Sequence, residues 1–183
     1  MMNFLEQINS DWTLFLDRDG VINKKRDNDY VKSIEEFEFI EGVLESLKVF
    51  SELFGKVVVV TNQQGVGKGI MTESNLQEVH GYMLEEVKKH GGRIDQIYFA
   101  PHLASENSND RKPGTGMGLK AQIDFPEIDF EKSLLIGDSE SDIEFGTKLG
   151  MKTIMLKNNR EIESKADLIC QNLKDVKDQI LFK

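Results

Sequence analysis

Two carboxylates two residues apart, Asp17 and Asp19, follow an apolar segment that begins at Trp12. An aspartate can attack a phosphate ester and form an aspartyl phosphate when a cation and hydrogen-bond donors neutralise the phosphoryl oxygens. Asp17 is the candidate for this nucleophile, while Asp19 can protonate the leaving alcohol and later accept a proton from the attacking water. Gly20 would let the backbone turn tightly around the phosphate. A plain polar turn built from Asp19 and Gly20 is the alternative interpretation.

Polar groups suited to a phosphate and a metal occur at three further places in the chain. Thr61 offers a hydroxyl and Lys112 a positive charge to phosphoryl oxygens. Asp138 offers a hard oxygen ligand for Mg²⁺, and Asp142 lies one helical turn further on, so both could serve the metal directly or through water. Taken singly, each has a simpler explanation. Thr61 could belong to a turn at the end of a strand, and Lys112 could be a solvated loop lysine. Asp138 and Asp142 could be acids that complement a helix dipole. Their presence together favours a site for phosphate and metal.

The elements that must position these residues are short apolar segments alternating with stretches of 3.6-residue periodicity. This alternation is typical of an α/β fold in which helices cover a parallel sheet. Ligands of such sheets bind at the carboxyl ends of the strands, and Asp17, Thr61 and Asp138 each follow a predicted strand directly. The predicted strands are residues 13–16, 56–60, 96–100, 134–136, 153–156 and 168–170.

Helices are predicted where cap residues flank apolar positions that share one face. These stretches are one after Gly42, one between Thr72 and Gly91, and one between Ser139 and Gly150. Two long stretches without such periodicity, residues 23–33 and 101–116, are predicted to be functional loops.

Composition bounds the class of protein. A chain of 183 residues suits one domain over residues 1–183. Lys and Arg number 23 and Asp and Glu 32, a net charge of −9 that disfavours nucleic acid and membrane partners. The single cysteine, Cys170, excludes an internal disulfide and indicates a reducing cytoplasm, and no signal peptide or membrane span is expected. The expected partner is a small-molecule phosphate ester, bound by a monomer or weak homo-oligomer.

Four motifs together resemble those of the haloacid dehalogenase superfamily of phosphatases. They are Asp17-Arg18-Asp19-Gly20-Val21, Thr61-Asn62-Gln63, Arg111-Lys112-Pro113, and Gly137-Asp138-Ser139 followed by Asp142. The resemblance spans residues 15–156 and implies a Rossmann-like, three-layer α/β/α fold with a parallel sheet. The short stretches after the first two motifs leave no room for a large cap domain.

The resemblance also implies a role for each motif residue. Asp17 is implied as nucleophile, Asp19 as acid and base, and Thr61 and Lys112 as contacts of the phosphoryl group. Mg²⁺ is the implied cofactor, and its predicted ligands are Asp17, Asp19 through its carbonyl, Asp138 and Asp142. The predicted substrate-binding residues are Gly20, Asn62, Gln63 and Arg111.

Within the superfamily, residues 29–31, 37–43 and 61–66 resemble the branch of heptose bisphosphate and histidinol-phosphate phosphatases. The branch implies removal of the 7-phosphate from D-glycero-D-manno-heptose 1,7-bisphosphate, with histidinol phosphate as the alternative substrate. A polynucleotide 3′-phosphatase shares the second motif, but the acidic balance disfavours it. A non-catalytic, haloacid dehalogenase-like binding domain would be expected to have lost Asp17, Asp19 or Asp138.

This chain departs from the branch at the positions that would bind structural zinc. The branch usually binds structural zinc through a histidine and three cysteines, and the matching positions here are Ala100, His102, Ser108 and Asp110. Because Zn²⁺ requires several nitrogen or sulfur ligands, no structural zinc is expected, and the loop must be held by its own hydrogen bonds. His80 and His90 lack metal-ligand partners at helical spacing, so they are predicted to be packing or surface histidines.

Overall fold

The computed structural model describes residues 4–26 and 28–182. Its strands are β1 (Thr13–Leu16), β2 (Lys56–Asn62), β3 (Gln96–Ala100), β4 (Ser133–Gly137), β5 (Lys152–Leu156) and β6 (Leu168–Cys170). Its helices are α1 (Val43–Leu53), α2 (Gln64–Gly67), α3 (Glu73–Lys89), α4 (Gly116–Asp124), α5 (Glu140–Leu149) and α6 (Leu173–Leu181). Short 3₁₀ segments cover Phe4–Gln7, Ile34–Glu36, Ala104–Glu106 and Phe130–Lys132.

The six strands form one parallel sheet in the order β3-β2-β1-β4-β5-β6. Alternating side chains of its central strands face opposite sides: Leu14 and Leu16 pack in the core beneath α1, α3 and α6, whereas Phe15 packs with residues of α4 and α5. The α/β/α layers predicted from the sequence are therefore confirmed.

All six predicted strands are confirmed, with one correction that concerns the site. Thr61 was expected to follow the second strand, but both Thr61 and Asn62 belong to β2, because they pair with Phe99 and Ala100 of β3. The helices predicted after Gly42, Thr72 and Ser139 are α1, α3 and α5. Helices α2, α4 and α6 were not predicted.

The strand register brings the site residues to one edge of the sheet. Leu16 at the end of β1 lies opposite Ile136 of β4 and Val59 of β2, so these three strands end at the same edge. The strand order reverses between β1 and β4, and ligands of open parallel sheets bind at such a switch point.

No large cap covers this edge in the described part of the chain. Only the 3₁₀ segment Ile34–Glu36 lies between β1 and α1, and only α2 and α3 lie between β2 and β3. None of the described helices is both long and apolar enough to cross a membrane.

Candidate active site

Three buried carboxylates meet at the carboxyl ends of β1 and β4. Asp17 follows β1, Asp138 follows β4, and Asp142 lies in the first turn of α5, each with an oxygen within 4.8 Å of the others. The ammonium group of Lys112 lies 2.9 Å from Asp17 Oδ1 and 2.6 Å from Asp142 Oδ1, and it donates to the Val60 carbonyl at 2.7 Å. One cation therefore contacts two of the three acids.

The crowding of acids shifts their proton affinities. Burial, and then the charges of Asp142 and Asp138, raise the pKa of Asp17 to about 7, although Lys112 acts in the opposite direction. Burial lowers the pKa of Lys112, but the two carboxylates outweigh it and hold that pKa above its ordinary value. Three acids thus surround one buried ammonium group, and their hard oxygen donors fit a divalent cation such as Mg²⁺.

Asp138 also has cationic neighbours that the sequence did not indicate. Lys25 Nζ lies 3.2 Å from its carboxylate, and Arg160 Nη2 lies 3.5 Å from the same oxygen. Burial raises the pKa of Asp138, with Lys25 opposing it. Gly20 has a φ of +86° beside this carboxylate, and a Cβ there would collide with it, so a side chain is excluded at that position.

Asp142 is held in one orientation by the start of α5. Its Oδ2 accepts hydrogen bonds from the backbone N–H of Asp138 at 3.1 Å and of Ser139 at 3.0 Å, and from the Ser139 hydroxyl at 2.7 Å. Its other oxygen faces Lys112. Both oxygens therefore have partners within the protein, Oδ1 through its ion pair with Lys112, and a contact of Asp142 with Mg²⁺ stays a prediction.

Asp19 carries a different set of partners from Asp17. Asn23 donates to its Oδ1 at 2.9 Å, Gln63 donates to its Oδ2 at 2.8 Å, and Arg18 donates to both oxygens. Although burial alone would raise the pKa of Asp19, the Arg18 guanidinium and these hydrogen bonds hold it below its ordinary value. The pKa values of the two carboxylates of the first motif are therefore shifted in opposite directions.

The residues at the end of β2 and directly after it form hydrogen bonds with other residues of the site. Thr61 is 1% exposed and its hydroxyl accepts a hydrogen bond from Gln63 Nε2 at 2.9 Å. The Asn62 amide bonds the backbone of Lys112 in both directions, accepting from its N–H at 2.9 Å and donating to its carbonyl at 3.1 Å. Gln63 is buried and bridges Thr61 to Asp19, whereas Asn62 also lines the cavity.

A cavity of about 260 Å³ opens above the acids. Its lining includes Asp17, Asp138, Lys25, Arg26, Tyr30 and Arg111. Arg111 forms no ion pair with any described residue, and its Nη1 donates to the His102 carbonyl at 3.3 Å. Its guanidinium is thus available to an anion in the cavity.

The sequence missed several contacts of the site. Arg18 lies inside the first motif, where a cation that follows a buried strand is a usable signal. His80, predicted as a packing or surface histidine, is buried and contacts Arg18. Lys25 and Arg160 lie in loops, and only the fold brings them to Asp138.

The chain is similar to known phosphatases. The family model described as polynucleotide kinase 3 phosphatase matches residues 12–169. A D-glycero-alpha-D-manno-heptose-1,7-bisphosphate 7-phosphatase of Campylobacter jejuni is 40% identical over 163 residues, which cover 89% of this chain and 92% of the relative. A D-glycero-beta-D-manno-heptose-1,7-bisphosphate 7-phosphatase of Helicobacter pylori is 37% identical over 175 residues, covering 94% and 99% of the two chains.

A solved structure agrees in fold. The D,D-heptose 1,7-bisphosphate phosphatase from B. bronchiseptica, complexed with magnesium and phosphate, has a TM-score of 0.84 at 26% identity, covering 93% of this chain and 98% of that one. The parallel sheet and the acids at its switch point are those of a haloacid dehalogenase-type phosphatase. The chain belongs to that superfamily, in the branch of the D-glycero-D-manno-heptose 1,7-bisphosphate 7-phosphatases.

Proposed function

We propose that this protein is an Mg²⁺-dependent phosphatase that removes the 7-phosphate of D-glycero-D-manno-heptose 1,7-bisphosphate through an aspartyl-phosphate intermediate. The observation that carries the proposal is the contact of Lys112 with both Asp17 and Asp142 at the switch point. A nucleophilic carboxylate, a cation and metal-type ligands are there within reach of one phosphoryl group. The names of the two curated relatives support the choice of substrate.

The proposed chemistry has two steps. Asp17 attacks phosphorus, the bond to the ester oxygen breaks, and Asp19 gives the leaving oxygen a proton. Water then attacks the phosphorus of the aspartyl phosphate, the bond between Asp17 and phosphorus breaks, and inorganic phosphate leaves. Asp19 accepts the proton of the water, which restores both carboxyl groups. Asp19 rests as a carboxylate, but a phosphate dianion beside it raises its pKa by like-charge repulsion and so favours the proton-bearing form that the first step needs.

The remaining residues hold charge and geometry. Lys112 and the Thr61 hydroxyl contact the phosphoryl oxygens, while Asn62 and Asp142 keep Lys112 in place. Asp17, Asp138 and the Asp19 carbonyl would hold Mg²⁺, and Asp142 would serve it directly or through water. When bound, Mg²⁺ neutralises charge on the phosphoryl oxygens.

A bisphosphate suits the charges around the cavity. The chain has a net charge of −9, and the cavity lining combines the acids of the site with the cations Lys25, Arg26, Arg111 and Lys112. A second phosphate can engage Arg111 in a bidentate contact while the first meets Lys112. The acidic surface opposes a polynucleotide substrate. Cytoplasmic location and a monomeric or weakly associating state remain predictions, supported by the single cysteine and the net charge.

The test is a substrate panel with the purified protein. Phosphate release is measured with Mg²⁺ or chelator on both anomers of the heptose bisphosphate, since the two relatives differ in anomer, and on histidinol phosphate and a 3′-phosphorylated oligonucleotide. We expect the highest kcat/KM for one heptose anomer. Asp17→Asn, purified in parallel, reports any contaminating phosphatase.

Three results would contradict the proposal. Preference for histidinol phosphate would reassign the substrate, and preference for the oligonucleotide would favour the activity that gives the matching family model its name. Absence of phosphate release from every ester would indicate a binding domain.

A further inference from the structure

A buried arginine and a buried histidine lie behind Asp19, and the reaction steps above leave both unused. Arg18 is 0% exposed and His80 is 7% exposed. Arg18 Nη2 lies 3.0 and 3.1 Å from the two oxygens of Asp19, while Arg18 Nη1 lies 3.0 Å from His80 Nε2. A line of direct contacts therefore runs from helix α3 to the carboxylate.

The chemistry of the two side chains fixes the direction of their hydrogen bond. Arginine carries only donors, so His80 Nε2 must accept and the ring proton must reside on Nδ1. Burial and the neighbouring Arg18 lower the pKa of His80 to about 3, which agrees with a neutral ring. His80 thus acts as an anchor for the guanidinium.

Stability alone does not explain this arrangement. Burying a charged arginine is costly unless its donors are satisfied, and Arg18 Nε has no hydrogen-bond partner in the described part of the chain. The donors that are satisfied are the two terminal nitrogens: Nη1 donates to His80, and Nη2 donates to Asp19. The side chain is thus aimed at the carboxylate.

We propose that Arg18 and His80 are positioning residues that hold the Asp19 carboxylate toward the leaving oxygen of the substrate. The inference rests on the proposed function, in which Asp19 is the acid. Because no large cap covers the described site, the core itself must fix this acid. Arg18 Nη2 contacts both carboxylate oxygens and, together with Asn23 and Gln63, fixes the rotation of the carboxylate. The bond between His80 and the other terminal nitrogen, Nη1, holds the guanidinium in place.

The test compares an alkyl phosphate with an aryl phosphate. The alkoxide that leaves the heptose bisphosphate needs a proton, whereas the p-nitrophenolate that leaves p-nitrophenyl phosphate does not. The ratio of kcat/KM for the two esters therefore measures proton donation by Asp19. Because kcat/KM covers only the steps through formation of the aspartyl phosphate, the later role of Asp19 as base does not enter.

His80→Leu removes the acceptor, whereas His80→Gln can present an amide oxygen near the position of Nε2. We expect His80→Leu to lower kcat/KM on the alkyl ester by about tenfold to a hundredfold, since small displacements of a catalytic group cost up to about a hundredfold. The loss on the aryl ester should be much smaller. His80→Gln should recover most of the alkyl activity.

Two controls isolate positioning from general destabilisation. Met83→Ala, at a buried position of the same helix, should lower the melting temperature without changing the alkyl-to-aryl ratio. In the Asp19→Asn background, His80→Leu should not change the ratio further, because the group that it positions is gone. Equal losses on both esters in His80→Leu, or failure of His80→Gln to recover, would overturn the proposal.

Nitrogen NMR of the histidine ring separates this inference from the proposed function. We expect an unprotonated Nε2 signal near neutral pH that shifts in Arg18→Lys. If the wild type hydrolyses neither ester, the proposed function is wrong. The contact between Arg18 and His80 then has no catalytic role, whatever the NMR spectrum shows. A protonated Nε2 in an active enzyme would overturn the positioning inference alone.

Discussion

Asp17 lies beside two further acids and a lysine, and burial raises its pKa from 3.8 to about 7. Between these two values the folded protein holds a proton that the unfolded chain releases. The free energy of unfolding of the metal-free protein therefore falls as the pH rises through this window. The same ionisation produces the nucleophile and a ligand for a cation, so reactivity and stability are opposed at this residue.

The first prediction concerns Asp17→Asn. This variant should release no phosphate, because an amide is neither nucleophilic nor a charged metal ligand. In chelator at pH of about 8 the variant should melt at a higher temperature than the wild type. The gain in its free energy of unfolding should be a few kcal/mol at most, since one pKa unit is about 1.4 kcal/mol. At pH of about 4, where Asp17 of the wild type is protonated, the two melting temperatures should agree closely.

Thermal melts at both pH values, with and without Mg²⁺, check this prediction. Mg²⁺ should raise the melting temperature of the wild type far more than that of the variant, because a ligand of the folded state stabilises it by mass action. Phosphate release by Asp17→Asn would rule out the covalent intermediate. A melting-temperature difference that does not depend on pH would show that Asp17 is not the group that titrates.

The second prediction concerns Asp19→Asn, which should separate binding from rate. General acid–base assistance contributes about 10²–10⁴-fold, so turnover should fall by that order. Mg²⁺ affinity should change little, since Asp19 is proposed to meet the metal only through its carbonyl. Calorimetric titration with Mg²⁺ and steady-state kinetics on the same sample provide both quantities. Lost metal affinity with retained turnover would reverse the roles proposed for Asp17 and Asp19.

At the scale of elements, the stretch from β3 to α4 is held by its own hydrogen bonds, as expected from its missing cysteines. Arg111 N–H donates to the Ser108 carbonyl at 3.1 Å, and Gly116 N–H donates to the Asn109 carbonyl at 2.8 Å. The Asp110 carboxylate accepts from Lys120 at 2.7 Å. These contacts orient the segment that carries Lys112 and Arg111.

The third prediction follows from that element. The purified protein should contain no stoichiometric zinc, and Mg²⁺ alone should restore activity after chelation, because Ala100, Ser108 and Asp110 offer no thiolate. Elemental analysis of the protein before and after mild chelation measures this directly. About one zinc per chain after mild chelation would contradict the prediction and make His102 a candidate ligand.

The elements also show what a sequence can predict. The strands were predictable because each is a short apolar segment, and three helices because their caps and apolar faces agree. Helix α4 was missed because Gly116 and Gly118 interrupt its pattern. The motif residues of the site were predictable because most of them lie at or just after the carboxyl ends of strands, which meet at one edge of the sheet. The contact between Arg18 and His80 spans 62 residues and depends on packing that no local pattern encodes.

At the scale of the whole molecule, charge is distributed unevenly. The net charge is −9, while the cavity above the acids is lined by Lys25, Arg26 and Arg111. Lys25 and Arg26 form ion pairs with neighbouring acids, whereas Arg111 has none among the described residues. The lining also contains acids, among them Asp17 and Asp138, so the attraction of an anion to this cavity depends on Arg111 and on a bound cation. Arg111 is therefore the residue best placed to discriminate a bisphosphate from a monophosphate.

The fourth prediction tests that discrimination. Arg111→Ala should lower kcat/KM on the heptose bisphosphate by about tenfold to a hundredfold, since a hydrogen bond to a charged group contributes about 1.5–3 kcal/mol. Its effect on p-nitrophenyl phosphate, which has no second anion, should be small. Lys48→Ala, which removes an exposed charge on α1 outside the cavity lining, is the matched control and should leave both rates unchanged. All assays use the same Mg²⁺ and ionic strength, because salt screens such contacts. Equal losses on both esters in Arg111→Ala would instead make Arg111 a general contact of the reacting phosphoryl group.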